Sequence, residues 1–347
     1  MTFRFHRPGD EEALVRLFES VYGKPMSPEW WRWKLLGRPG DLERVVLAEE
    51  EGRPVFQVGG IPCPALLEGR PATVMVAVDA MTHPDHRGRG LLTGGYLKLL
   101  AHWRERGVDL VLGMPNEQHG LRTVARGWRP LFRLRWRVRL LLPERVLARR
   151  VGVTGLASLR APGRLWDAWW SRGGPDALGV ELDEANPSDA EVDALWGRCQ
   201  GGPLRHGLVR DGAWMRWRYL DPPGRPYHLL CARRQGRLEG VLAYHFRNED
   251  GRKVAFVAEI LAPPGSEAVE EALVREIAAR ARAEGAELVA TLVLQGAPRE
   301  RVLARNGYLG SWGAFTVACV LLGEGVGVDS LRDPRGWSLE GGCFDVV

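Results

Sequence analysis

Two tryptophan-rich strings, 184 positions apart, constrain this chain of 347 residues more than any other feature. The first is Trp30-Trp31-Arg32-Trp33-Lys34-Leu35-Leu36-Gly37-Arg38-Pro39-Gly40; the second is Trp214-Met215-Arg216-Trp217-Arg218-Tyr219-Leu220-Asp221-Pro222-Pro223-Gly224. Other signals recur at a similar spacing. Phe3-Arg4-Phe5-His6-Arg7-Pro8-Gly9-Asp10 is matched by Val180 to Asp189: a short strand, a proline, an aspartate near a helix start. Arg126-Gly127-Trp128 is matched by Asn306-Gly307-Tyr308. Three signals in one order predict a duplicated unit.

The local patterns agree. In the first half they predict a strand from Arg4 to His6, a helix from Glu11 to Tyr22 and a short Trp-rich helix. A hairpin turns at Glu51-Gly52, and a β-branched strand runs from Thr73 to Met81. A helix from Leu91 to Arg106 and a strand from Val108 to Met114 follow, then a helix to Arg126. The second half gives a helix from Ala190 to Arg198, then the second Trp segment. Strands Tyr227 to Arg233 and Gly240 to Phe246 turn at Gln235-Gly236. Then come strand Val254 to Leu261, helix Ser266 to Glu284, strand Glu287 to Leu294 and helix Pro298 to Asn306. The expected domains are therefore 1–141 and 180–347, joined by a linker with helical segments at 142–179. The expected class is α/β (α+β).

Composition excludes several alternatives. With 45% apolar and 26% charged residues the chain matches soluble globular averages. Five scattered cysteines without a CxxC predict reduced thiols and a cytoplasmic protein. No apolar run reaches the roughly 18 residues that span a bilayer, so no membrane partner is expected. The net charge of +5 comes from 44 Arg and 4 Lys against 43 acids, and does not by itself argue for nucleic acid. His83 and His86 lie three apart, but no further ligand cluster accompanies them, so no metal is expected.

The segment that carries chemistry runs from Val76 to Leu92: a strand, a Gly-rich basic loop, and the start of a long helix. Unpaired N–H groups at such a start, aided by the helix dipole, bind anions such as pyrophosphate. Gly88 and Gly90 allow a tight turn, and Arg87 and Arg89 add positive charge. A Rossmann fingerprint would need glycine at 93, where Thr93 stands; a Walker A motif is absent. The arrangement resembles the GNAT superfamily of acyl-CoA-dependent N-acetyltransferases, whose pyrophosphate signature is Arg/Gln-x-x-Gly-x-Gly/Ala. Arg87-Gly88-Arg89-Gly90-Leu91-Leu92 matches the first two fixed positions; the third holds Leu92, with Gly94 two residues on. Met114-Pro115-Asn116-Glu117 resembles the next strand end of that family, and Gly127-Trp128 stands where it carries Gly-Phe or Gly-Trp.

The resemblance implies two GNAT-like domains, each a mixed, mostly antiparallel sheet flanked by helices, with acetyl-CoA as co-substrate. It implies that Met81, Thr82 and His83 bond the pantetheine, that Arg87, Gly88, Arg89, Gly90, Leu91 and Leu92 hold the pyrophosphate, and that Asn116 starts the following helix beside the coenzyme. The acceptor is a small-molecule or peptide amine that attacks the thioester directly. That reaction needs a base and an acid. Asp79 is the only acid on its strand; it is a candidate base, or else a cap or an orienting group for an arginine. The usual family acid is a Tyr before Gly127-Trp128. Thr123 falls there instead, and His119 is the nearby alternative. The carboxylate of Val347 is a further candidate, since some multidomain relatives use a chain end.

In the second half the equivalent turn is Leu261-Ala262-Pro263-Pro264-Gly265-Ser266-Glu267. Two prolines remove N–H donors and Glu267 repels phosphate, so this half is expected to have lost the coenzyme. From Arg122 to Arg150 there are 10 Arg and one acid. Within it, Arg133 to Leu140 alternates as a strand with one basic face, read either as an anion-binding surface or as charges that discourage edge pairing. Two other functions remain open. One is a non-catalytic acyl-CoA-binding module. The other is an aminoacyl or peptidyl transferase with charged tRNA as donor, since such enzymes also pair GNAT-like halves.

Overall fold

The computed structural model describes residues 2–115, 127–146, 170, 179–201, 204–224 and 226–344. The first half opens with β1 (Phe3–Phe5), α1 (Glu11–Tyr22) and α2 (Pro28–Leu36). Glu11 and Glu12 occupy the positive end of α1, and Gly23 closes it at φ 65°. Ser27 caps α2 by accepting the N–H of Trp30, with Pro28 in its first turn. Next come β2 (Val45–Glu50), β3 (Arg53–Leu67), β4 (Arg70–Thr82), α3 (Leu91–Glu105), β5 (Leu110–Gly113) and β6 (Arg129–Leu140).

The second half repeats that order with β7 (Glu181–Glu184), α4 (Asp189–Cys199), the short β8 (His206–Leu208), and α5 (Gly212–Met215), which continues as a π-helix to Leu220. Then come β9 (His228–Arg234), β10 (Arg237–Glu249), β11 (Arg252–Leu261), α6 (Glu267–Ala283), β12 (Leu288–Leu294), α7 (Arg299–Arg305), β13 (Leu309–Leu321) and β14 (Trp337–Ser338). The turns Glu51-Gly52 and Gln235-Gly236 both have two positive φ angles, the hairpin geometry that matches strand twist.

All the strands join one sheet, in the order β1-β2-β3-β4-β5-β13-β6-β12-β11-β10-β9-β7. The order reads the same from either edge if the second-half strands are numbered afresh. The parallel pairs, β4–β5 and β11–β12, occupy equivalent places. The last strands are exchanged. β13 pairs with β5 of the first half, and β6 pairs with β12 of the second, while β6 and β13 pair with each other. The sheet therefore runs unbroken across the boundaries drawn from the sequence.

One expectation is corrected here. The basic strand is not an edge kept free by its charges, because β6 is hydrogen-bonded on both sides. Its apolar face, Phe132, Leu134, Trp136 and Val138, packs into a core shared by both halves. On the other face Arg133 and Arg135 reach solvent, whereas Arg139 is buried and Arg137 is paired with Glu300 at 2.6 Å.

That shared core lies on one side of the sheet and holds Leu14, Trp31, Trp196 and Trp214 from both sets of helices. On the other side α3 and α6 each cover their own half. The two Trp strings meet at the centre. Trp33 Nε1 donates to the Trp217 carbonyl at 2.7 Å, Trp217 Nε1 donates to the Trp33 carbonyl at 3.1 Å, and the rings stack with centroids 5.4 Å apart.

Residues 337–344 fill the shared side against the second half. Gly342 lies so close to Tyr219 that a side chain there would collide with its hydroxyl. The segment is pinned by buried polar contacts: Glu340 accepts from Arg299, which also binds Glu270 at 2.6 Å, while Arg210 binds Glu259 at 2.8 Å and Ser338. Burial, opposed by Arg299 and reinforced by Glu259, pushes the Glu340 carboxyl up to about 8. The folded chain then holds a proton that the unfolded chain releases near its ordinary acid range, so stability falls as pH rises between the two. Glu340→Gln, neutral at every pH, should show a smaller decline in denaturation midpoint between pH 5.5 and 8.5 than the parent. Equal declines would remove Glu340 from the role.

Candidate functional site

β4 and β5 are parallel only from Val74 to Val76 against Leu110 to Leu112; beyond that the strands part. From Ala77 to Thr82 the β5-facing edge of β4 has no strand partner among the described residues. Met81 and Thr82 pair with Gln57 and Phe56 of β3 on the other side, and His83 donates its N–H to Val55 at 2.8 Å. β13 holds the far edge of β5, Ala318 opposite Gly113. A strand of the second half thus braces one wall of the cleft.

After β4 a 3-10 turn, Pro84–His86, leads into the glycine loop. Gly88 and Gly90 have φ of 80° and 75°, and Gly90 caps α3 in the left-handed region without a side-chain bond. None of the N–H groups of Gly88, Arg89, Gly90 and Leu91 meets a backbone acceptor among the described residues. These are orphan donors at the positive end of a 15-residue helix. Residues 87–90 are exposed, so an anion could reach them. Arg89 rests on Glu50 at 3.4 Å and on the Asp85 carbonyl at 3.2 Å. His86 Nε2 lies 2.7 Å from Glu50 and holds that carboxyl below its usual range. Leu91 is buried and Leu92 half-buried, so from those two residues it is the backbone that the loop presents. Gly94 and Gly95 have another use: they let α3 lie directly on the rings of Phe3 and Phe56.

Asp79 stands on a bulge. Val78 pairs with Gly59 and Met81 with Gln57, so Asp79 and Ala80 together oppose Val58. Asp79 has φ 49°, a left-handed conformation that aspartate tolerates better than most residues. Its carboxylate has a cationic partner. Lys34 Nζ from α2 lies 2.8 Å from Oδ1, and the two side chains are 2% and 7% exposed. The Tyr22 hydroxyl reaches the neighbouring Ala80 carbonyl at 3.4 Å.

Lys34 was not singled out from the sequence, although a signal was there: it is one of four lysines among 48 basic residues and aligns with Arg218 in the repeat. Lys34, Trp33 and Val76 line a small crevice with Trp217, Arg218 and Phe344, on the side of the sheet opposite α3. Asn116, His119 and Thr123 lie outside the described residues, as does Val347. Asp79, residues 81–83 and the 87–92 loop thus follow one another from the end of β4 to the start of α3, beyond the point where β4 leaves β5; the other candidates lie outside what the structure describes. Tyr96 of α3 is buried against Trp128, which pushes its phenol above the usual range.

The second half lacks these features. β11 and β12 also part after Val257 and Thr291, but the turn to α6 carries Glu267, which is paired with Arg305. Gly342 of the chain's own end lies against Ala258, just where those strands separate.

Comparison with known proteins agrees with this geometry. Residues 2–130 match the GNAT acetyltransferase domain family. No curated protein sequence matches the chain. Among solved structures, a GCN5-related N-acetyltransferase from Anabaena variabilis ATCC 29413 is similar with a TM-score of 0.67 at 10% identity, covering 93% of this chain and 73% of that one. A protein of unknown function from Enterococcus faecalis V583, a probable N-acyltransferase, gives 0.65 at 13% identity over the same shares. At such identities the likeness is one of fold. Residues 2–130 thus match that family, and the sheet they lie in is completed by the rest of the chain.

Proposed function

We propose that the chain transfers an acetyl group from acetyl-CoA to an amine by direct attack, using the first half's cleft. The observation that carries this reading is the conjunction of an open, N–H-rich loop at the start of α3 with the stretch of β4 beside it that has parted from β5. The loop suits a pyrophosphate: its donors are oriented in advance, and Arg87 and Arg89 supply charge. The edge of β4 that ends at Thr82 offers backbone amide groups to a pantetheine, whereas His83 has its N–H committed to Val55. Acetyl-CoA supplies the activated thioester. The protein's share is to hold the amine near it, which removes an entropic barrier, and to manage protons.

On this reading Asp79 accepts the ammonium proton of the acceptor. The acceptor amine is a small molecule or a peptide. The two halves are copies of one unit, 1–141 and 180–347, with 142–179 between them. The second copy has no coenzyme; it braces the cleft through β13 and walls the acceptor side. Among the described residues no helix is long and apolar enough to cross a membrane.

Release of free CoA thiol from acetyl-CoA, followed over a panel of amines, tests the proposal. Asp79→Asn should lower turnover about 100-fold with the amine that reacts fastest, within the range general-base catalysis supplies. Coenzyme affinity should stay within about twofold of the parent, because the loop is untouched. Binding without turnover of any amine would favour the non-catalytic acyl-CoA module instead.

A further inference from the structure

We infer that Lys34 is a positioning residue for Asp79, and that the second half fixes where its ammonium stands. The inference rests on the reading of Asp79 as the base. Asp79 sits on a bulge with a left-handed backbone, in the part of β4 that β5 no longer supports. Such a residue keeps its conformation only if its surroundings hold it. Lys34 does so with a buried ion pair of 2.8 Å.

Lys34 is itself placed by its helix. Trp31 Nε1 donates to Gln57 Oε1 at 3.0 Å, which anchors α2 to β3. The adjacent Trp33 exchanges two hydrogen bonds with Trp217. The position of the ammonium thus depends on contacts made to both halves.

The choice of residue is informative. The repeat places Arg218 where the first half has Lys34, and 44 of the 48 basic residues are arginine. Arg218 spreads its fork over chain carbonyls, with Nε on Gly342 at 2.8 Å and a terminal nitrogen on Phe344 at 3.4 Å. Lysine presents a compact charge instead, here to the Asp79 carboxylate. In the reaction, one proton passes from the acceptor ammonium to the Asp79 carboxylate and then to solvent. The freed amine forms the C–N bond as the C–S bond breaks, and its second proton passes to the departing thiolate. Beside a fixed ammonium, Asp79 is a carboxylate ready for the first of these transfers.

The test uses the full chain, acetyl-CoA and the fastest amine of the panel. Lys34→Met should lower kcat about 10- to 100-fold while leaving acetyl-CoA affinity within about twofold. It should also move the acidic limb of the kcat/KM profile to higher pH by about one unit or more, since the carboxylate loses its cation. Lys34→Arg should recover most of the loss. In the Asp79→Asn background Lys34→Met should cost nothing further. Lysine labelled with 13C at Cε adds a reading independent of turnover: the signal lost in Lys34→Met should be the one displaced in Asp79→Asn. Should Lys34→Met fail to fold, Lys34→Gln takes its place. If Asp79→Asn leaves turnover unchanged, the base reading fails and this inference falls with it. If Asp79→Asn cuts turnover but the acidic limb stays in place without Lys34, only the positioning role is overturned.

Discussion

Replacing Gly90 by glutamate is expected to abolish the rise in melting temperature that acetyl-CoA gives the parent protein. Gly90 has φ 75° at the cap of α3, and a β-carbon there would meet nothing within 4 Å. The substitution therefore costs backbone strain of about 1 kcal/mol but no collision. A carboxylate at a helix start is itself favourable by about 0.3–1 kcal/mol, which offsets most of that strain. The free variant should melt close to the parent. The ligand, in contrast, would meet a negative charge where its pyrophosphate needs donors. At a concentration near 100 times Kd the parent gains about 2.7 kcal/mol from binding, a shift of several degrees. Gly90→Glu should show none of it at millimolar acetyl-CoA. Gly90→Ala carries the same strain without the charge and should retain a measurable part. A full shift in Gly90→Glu would move the coenzyme away from this loop and remove the main support for the proposed activity.

What the sequence made legible is what local chemistry encodes. Helix α1 spans Glu11–Tyr22, the residues expected from the sequence. The glycine loop opens α3 where the turn residues placed it. The repeat offset of 184 joins Trp33 to Trp217, which touch each other. Pairing partners were a different matter. The alternation of Arg133 to Leu140 is the same whether a strand is edge or interior, so β6 could not be placed. Its neighbours come from residues 288–294 and 309–321, and no local pattern encodes pairings that distant. The bulge at Asp79 was hidden for a related reason, since it is set by register against β3. Lys34 joins Asp79 from 45 residues away, and no local pattern links the two.

The exchange of final strands predicts how the chain behaves when cut. A fragment of residues 1–146 keeps the glycine loop, α3 and the residues that match the family model, yet it should not fold alone. Without β13, β5 loses the partner on its far edge, and β6 loses both neighbours. The freed β6 would expose Phe132, Leu134, Trp136 and Val138, now in the shared core. Each such side chain contributes about 1.5–3 kcal/mol on burial, so together they rival the whole stability of about 5–15 kcal/mol expected of a domain. The open edges would also pair with other copies. Residues 1–146 are therefore expected to aggregate when produced alone. Produced with residues 147–347, they should yield a soluble one-to-one complex that melts cooperatively and responds to acetyl-CoA. Co-purification on a tag carried by one fragment, with a circular dichroism melt, reads the outcome. A soluble, cooperatively melting 1–146 would show that the first half completes its own sheet. Failure to fold except in the complex would instead mean that the coenzyme cleft exists only while β13 holds β5, so that the half without a phosphate loop is needed to build the one that has it.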